Sequence, residues 1–234
     1  MQQRFDLIVV GAGMVGSALA CALADSGLKL ALLDAQSLQP VPEPLSTSGY
    51  DPRVSALSAA SEQILRRLGA WQQIPSSRRC AYRHMCVWDA EGTGEVRFDA
   101  RSLNELRLGH IVENWQVQNA LLAVLQGHPV ELLGDSRVQG LVQEDDGWRL
   151  NLDDGRQLHA PLILAADGAR SQLRDLAGFA MREWDYLHHA VVTTVELSEP
   201  HQETAWQRFL PSGPLAFLPL PSRDGKHYCS IVWS

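Results

Sequence analysis

The chain begins with a short apolar run, Phe5 to Val10, that leads directly into Gly11-Ala12-Gly13-Met14-Val15-Gly16. No other feature restricts the fold as strongly. A nearly unbroken apolar run is what a parallel strand buried on both faces requires. The small-residue stretch from Ser17 to Ser26 predicts a helix, with Gly27 as its C-terminal cap. Leu28 to Asp34 predicts a second strand that ends in an acid, completing a βαβ unit. Each glycine has a mechanical reason. Gly11 permits a tight turn, Gly13 lets the backbone approach a pyrophosphate, and Gly16 lets helix and strand pack closely. Free N–H groups at the helix start favour phosphate. Asp34 can accept hydrogen bonds from adenosine ribose hydroxyls and would repel a 2′-phosphate. A tight turn in a nucleotide-free α/β domain is the plainer alternative. The spacing of strand, turn, helix and acid favours a dinucleotide.

Further along, prolines and serines crowd the stretch from Ala35 to Pro52 and predict an irregular surface excursion. Ala60, Ile64 and Leu68 recur at four-residue spacing before Gly69, predicting a helix with those residues on its apolar face. Met85-Cys86-Val87-Trp88 and Glu95-Val96-Arg97-Phe98 flank a Gly92/Gly94 turn, as in a hairpin. A helix is expected over 113–126, with Val117, Leu121 and Leu125 on one stripe, and a third parallel strand over 130–133. The period then changes. Arg137 to Gln143, Trp148 to Leu152 and Arg156 to His159 are short strands joined by Asp-Asp-Gly turns, a meander. Leu162 to Ala166 reads as another buried parallel strand. It ends in Asp167-Gly168, at the carboxyl end where ligands of open α/β sheets bind. A short helix, Ser171 to Ala177, follows, and from Trp184 onward the pattern is an antiparallel sheet. A simple nicotinamide domain would continue with alternating strands and helices, so the meander favours FAD over NAD.

Composition removes several function classes. The 27 Asp and Glu outweigh the 20 Lys and Arg, for a formal charge of −7 over 234 residues. This supplies no cationic face for nucleic acid. Hydrophobic residues make up 45% of the chain, enough for a core rather than disorder. Cys21, Cys80, Cys86 and Cys229 form no CxxC pair, and the start lacks a signal-peptide pattern. No apolar run nears the ~18 residues of a membrane span. These features predict reduced thiols and a cytoplasmic protein. His188-His189 has no partners at ligand spacing, so no metal site is predicted.

Beyond the glycine turn and Asp34, the chain carries Asp51-Pro52-Arg53-Val54-Ser55-Ala56-Leu57 with Ala59-Ala60-Ser61. It also carries Gly109-His110-Ile111-Val112-Glu113-Asn114 and Ala166-Asp167-Gly168-Ala169-Arg170-Ser171. Then come Trp184-Asp185-Tyr186, Phe217-Leu218-Pro219-Leu220 and Cys229-Ser230-Ile231-Val232-Trp233-Ser234. In these motifs, which cover nearly the whole chain, the sequence resembles the flavin-dependent aromatic hydroxylases, and within them the ubiquinone-biosynthesis branch acting on polyprenylated phenols.

The resemblance implies an α/β fold: a Rossmann-like FAD-binding domain of glutathione-reductase type, with a three-stranded β-meander, plus an antiparallel-sheet substrate domain. Residues 1–80 and 100–180 would form the first, and 81–99 and 181–234 the second. It implies FAD held by Gly11, Ala12, Gly13, Met14, Val15, Gly16 and Asp34. Arg53 would reach the flavin side, a reading its charge supports through charge-assisted hydrogen bonds; a surface salt bridge is the alternative. Asn114 and Gln118, one turn apart on a helix, match positions contacting the ribityl chain or pyrophosphate. Val138 matches a residue whose backbone meets the adenine. Asp167 and Gly168 match a motif associated with FAD and the passing reductant.

The implied reaction is hydroxylation through a flavin hydroperoxide. Its partners would be a polyprenylphenol-type lipid, O2 and an external reductant, either NAD(P)H or an electron-transfer protein. A ubiquinone-biosynthesis complex or a homo-oligomer, peripheral to the inner face of the membrane, is compatible with the family. Tyr82, Tyr186, His188 and His189 are available as a base that polarises the phenol, and none is assigned.

There are two departures. Ala165 stands where the family commonly has Gly. The family's second flavin motif lies beyond residue 234, so a C-terminally truncated chain with weak or absent FAD is expected. Two rival readings remain: an NAD(P)-dependent or flavin dehydrogenase/reductase without O2 chemistry, and a catalytically incomplete flavoprotein fragment or assembly subunit.

Overall fold

Leu7–Val10 and Leu30–Leu33 are buried at every position, as unbroken apolar runs demand when both faces of a strand are covered. The computed structural model describes residues 2–43 and 49–234, so positions 44–48 of the proline-rich excursion lie outside the described residues. The chain divides into two units, Met1–Val41 with Gln118–Glu183 and Pro42–Val117 with Trp184–Ser234.

In the first unit a parallel sheet runs in the order Leu162–Ala165, Leu7–Val10, Leu30–Leu33, Val130–Leu133. Successive side chains alternate between its faces. Ile8, Val10, Ala31 and Leu33 join a core with Leu150, Leu152, Leu158 and Ala160. Leu7, Val9, Leu30 and Leu32 pack with Ala20, Ala24, Leu122 and Leu125. Burial of each Val, Leu or Ile side chain among these contributes roughly 1.5–3 kcal/mol. The second set of partners comes from helices Met14–Leu23 and Asn114–Leu125. The first helix starts earlier than the small-residue stretch predicted, because Gly13 serves as its N-cap. It stops at Leu23, and Gly27 takes a positive φ in the turn that follows. Val138–Glu144, Gly147–Leu152 and Gln157–Ala160 pair antiparallel, and Gln2–Arg4 adds a parallel strand at the Gln157–Ala160 edge.

In the second unit, strands Val54–Ser58 and Arg79–Tyr82 flank Gly109–Glu113 in a three-stranded sheet. The larger sheet has six strands, in the order Val191–Leu197, Lys226–Trp233, Gly213–Arg223, Thr204–Leu210, His84–Asp89, Glu95–Asp99. The hairpin predicted around Gly92 and Gly94 is its edge, with Met85 opposite Phe98. The boundaries differ from those expected, since 42–80 and 100–117 group with the second unit. The reason is a shared core: Tyr50, Cys80, Tyr82 and Ile111 pack with Ala205, Leu220 and Tyr228.

Helix Ala59–Arg67 corrects a second expectation. Ile64, placed on the apolar stripe, is 55% exposed, while Leu65 and the charged Glu62 are buried. Glu62 turns inward because cations surround it. Its carboxylate accepts hydrogen bonds from Arg66 Nη2 at 2.6 Å and Arg107 Nη2 at 2.9 Å, and His110 Nδ1 lies 2.8 Å away. By contrast, Val117, Leu121 and Leu125 are buried as predicted. Among the described residues no helix is long and apolar enough to cross a membrane.

Candidate functional site

Strand Leu7–Val10 ends at Gly11, whose φ of +104° and close approach to the Ala166 carbonyl leave no room for a side chain. A Cβ there would stand 2.3 Å from that oxygen. Gly16 is equally constrained, because a Cβ would come 1.8 Å from the Gly11 carbonyl. Gly13 differs from both. Its φ is −66°, open to any residue, and a Cβ would meet nothing within 4 Å. The fold therefore requires glycine at 11 and 16, whereas at 13, the N-cap of the helix, neither φ nor packing requires it. No side chain caps the helix at Gly13, and its first turn carries no acid. Its leading N–H groups are left for an anion.

Asp34 closes the other side of this turn. It accepts the Ala12 N–H at 2.6 Å and the Gln36 N–H at 2.8 Å, one on each carboxylate oxygen. Each oxygen keeps a second lone pair for a hydroxyl donor. Ala12 is fully buried. Its carbonyl accepts from Ser17 Oγ at 2.9 Å and from Gln118 Nε2 at 3.3 Å, so Gln118 touches the glycine turn itself. A cleft of about 160 Å³ is lined by Gly11, Asp34, Gln36, Ser136, Val138 and Asp167, among others. Met14 is half-buried and Val15 exposed beside it.

Asp167 and Gly168 divide between two cavities. Asp167 lines the cleft, accepting from Ser171 Oγ and from the Leu173 N–H at 3.1 Å, so it also holds the start of helix Gln172–Leu176. Gly168, with φ +83°, lines a larger apolar cavity of about 510 Å³ beside Leu141, Trp148, Ile163 and Phe179. Ser171 and Arg174 also line this larger space.

The remaining predicted residues lie in the second unit. Arg53 is exposed, and its guanidinium makes no ion pair among the described residues. Its backbone, in contrast, is pinned. The Asn114 N–H donates to the Arg53 carbonyl at 3.1 Å. Ser230 Oγ donates to the Pro52 carbonyl at 2.8 Å, and the Asp51 N–H donates to Glu113 Oε1 at 2.7 Å. Asn114 Oδ1 accepts from Ser55 Oγ at 2.6 Å. Glu113 is 1% exposed and also takes Arg78 Nη1 at 3.1 Å and Trp115 Nε1 at 3.1 Å. Sequence reasoning missed this positioning role, although the Glu113-Asn114 pair was its visible signal.

Of the base candidates, His188 and His189 line a cavity of about 240 Å³ with Ser212 and Ser234. Burial raises the Tyr82 hydroxyl above its ordinary range within the core, whereas Tyr186, His188 and His189 are exposed. Burial likewise pushes the Cys80 and Cys229 thiols up to about 12, which leaves them unreactive. A cavity of about 370 Å³ in this unit is lined by Trp88, Trp206, Phe217, His201 and Cys229.

With this geometry in hand, comparison with known proteins is specific. The family model for the FAD binding domain matches residues 4–234. The chain is similar to the 3-demethoxyubiquinol 3-hydroxylase of Escherichia coli (strain K12), at 37% identity over 232 residues. That match covers 99% of this chain and 57% of the relative. It is also similar to the ubiquinone hydroxylase UbiL of Rhodospirillum rubrum, at 35% identity over 230 residues, covering 98% and 51%. The chain thus spans about half the length of the curated relatives it matches. Among solved structures, PqsL of Pseudomonas aeruginosa in complex with 2-aminobenzoylacetate aligns with a TM-score of 0.77 at 18% identity, over 99% of this chain and 61% of that one. The flavin-dependent monooxygenase PieE, in complex with FAD and substrate, aligns with a TM-score of 0.70 at 17% identity, over 99% and 43%. These last two likenesses concern the fold.

Proposed function

The chain belongs to the FAD-binding-domain family, and from that premise we propose that it is the cofactor-holding part of a monooxygenase that hydroxylates the ring of a polyprenylated phenol in ubiquinone biosynthesis. The observation that carries this reading is the open space above Gly13, beside an uncapped helix start and the Asp34 carboxylate. Packing within the chain requires two glycines of the turn and leaves the backbone at the third open to a ligand. Bound FAD would supply the activation of O2 and the transfer of one oxygen atom to an electron-rich ring carbon.

The chain's own residues bind and orient. N–H groups at the start of helix Met14–Leu23 receive the pyrophosphate. Asp34 keeps a lone pair on each oxygen for ribose hydroxyls, and Val138 borders the cleft where the adenine would lie. Gln118 holds the Ala12 carbonyl and so fixes the turn. In the second unit, hydrogen bonds pin the backbone at 51–53, the segment that carries Arg53, and the Arg53 guanidinium, unpaired among the described residues, is the cation assigned to the flavin side of the cofactor. The relatives' names support a quinone-precursor substrate, and the six-stranded sheet is the element that would receive it.

The enzyme of which this chain is the cofactor-holding part, supplied with FAD, a reductant and a polyprenylphenol, is expected to consume O2 only when the phenol is present, giving a product heavier by one oxygen atom. Reductant oxidation that transfers hydride to an organic acceptor without O2 uptake would replace this reading with that of a dehydrogenase.

A further inference from the structure

The meander carries a second cluster of charged side chains, separate from the nucleotide cleft and unused by it. His159 pairs with Arg4 on one neighbouring strand and with Arg149 on the other, so these three side chains stand on one face of the sheet. Glu144 and Asp146, at the turn joining Val138–Glu144 to Gly147–Leu152, reach over the same face. The His159 side chain is 1% exposed, and neither of its ring nitrogens has a hydrogen-bond partner among the described residues. Yet Nε2 lies 2.9 Å from Asp146 Oδ1 and 3.7 Å from Glu144 Oε2. A buried imidazole is therefore aimed between two carboxylate oxygens without making an aligned hydrogen bond to either.

The arginines explain how the carboxylates come to point inward. Arg149 Nε donates to Glu144 Oε1 at 2.6 Å, and Arg4 Nη2 donates to Asp146 Oδ2. Each guanidinium occupies one oxygen and leaves the other turned toward His159, the outer-shell arrangement that orients metal-binding carboxylates. One imidazole nitrogen and two carboxylate oxygens lie within 4.8 Å of one another. Ligand atoms at about 2.0–2.2 Å from one cation stand roughly 3–3.5 Å apart, a spacing that the 2.9 and 3.7 Å separations bracket.

We propose that Glu144, Asp146 and His159 form a site for a divalent transition-metal ion. An imidazole donor together with only three protein ligands favours zinc, cobalt or nickel over calcium or magnesium, which need more oxygens. The ion would tie the first meander turn to strand Gln157–Ala160 and so favour the folded state. This proposal does not depend on the flavin reading.

Chelator-stripped protein titrated with zinc, and in parallel with cobalt, provides the test. Expected are one equivalent bound per chain, visible d–d absorption from the cobalt form, and a zinc-dependent rise in Tm reversed by chelator. Since His159 is buried and its variants could unfold, the more accessible carboxylates, half-buried Glu144 and exposed Asp146, carry the comparison. Asp146→Asn and Glu144→Gln are expected to keep their far-ultraviolet circular dichroism and to weaken zinc binding by about tenfold or more. A His188→Ala/His189→Ala double variant is expected to bind as the parent does. The proposal is overturned by the absence of binding at sub-millimolar zinc, by unchanged affinity in both carboxylate variants, or by loss of binding in the double-histidine variant alone.

Discussion

In the first unit the critical contacts are backbone against backbone. Gly16 sits over the Gly11 carbonyl, and Gly11 sits over Ala166. In the second unit they are charge against charge: Glu62 faces Arg66, Arg107 and His110, and Glu113 faces Arg78. The first kind of contact tolerates no added atom and hardly depends on pH. The second tolerates changes of shape but not the loss of a charge. A unit that must present bare backbone to a ligand is built around glycines, and their spacing is readable in sequence. A unit whose two sheets join segments far apart in the chain can be locked by ion clusters, of which local spacing announces the Glu62–Arg66 pair but not Arg107 or His110.

The largest expected effect breaks the backbone contact. Gly16→Val places a Cβ 1.8 Å from the Gly11 carbonyl, and a clash with fixed backbone should cost about 4 kcal/mol or more, or abolish folding. Urea unfolding reads this directly, and a loss below about 1 kcal/mol would mean the turn can relax. Next comes the ion cluster. Glu62→Gln leaves Arg66, Arg107 and His110 without their counter-charge, for an expected loss of about 3 kcal/mol.

The same cluster gives the second unit its pH dependence. Burial pushes the Glu62 carboxyl up, but hydrogen bonds from Arg107 and Arg66 outweigh it and bring the group from 4.5 down to about 2. Burial of His110 lowers its imidazole despite the nearby Glu62 carboxylate. Both folded values are depressed, so both groups bind more protons when unfolded. Stability is full above about 6.5, declines as His110 begins to protonate, and falls further from about 4.5 to about 2 as Glu62 does. Chemical unfolding between pH 7 and pH 2.5 should trace this decline, and the Glu62→Gln variant should lack its acidic portion.

Legibility in the sequence followed the same divide. Leu7–Val10, the glycine turn and Asp34 at the end of the next strand were readable because each rests on neighbours within a few residues: apolar runs, strand ends, helix starts. The three-stranded sheet of the second unit was not, since Val54–Ser58 pairs with Gly109–Glu113 across a long separation. Ile64 was misplaced for the same reason, as a four-residue stripe cannot reveal that Glu62 has distant cations to meet. The candidate site was legible at Gly11, Gly13, Gly16 and Asp34. The positioning role of Glu113 and the grouping of Glu144 and Asp146 with His159 emerge only once strands are in register. The sole sequence trace of that grouping is an acid pair at a hairpin turn.

Smaller effects separate ligand binding from folding. Asp34→Asn replaces one carboxylate oxygen with an amide donor, and should weaken FAD binding by about 1–3 kcal/mol with a smaller loss of stability. Gly13→Ala is the sharpest contrast with Gly16. It should change stability by no more than about 0.5 kcal/mol, because its Cβ meets nothing, while a nucleotide pressed against that backbone should feel it.

The most direct test of the central claim follows backbone amide resonances of the purified chain during titration with ADP. The account predicts saturable shifts confined to Gly11–Gly16, to Asp34 and Gln36, and to Ser136 and Val138, with saturation moved to higher ADP in Gly13→Ala. Shifts centred elsewhere, or a Gly13→Ala variant that titrates like the parent, would contradict it.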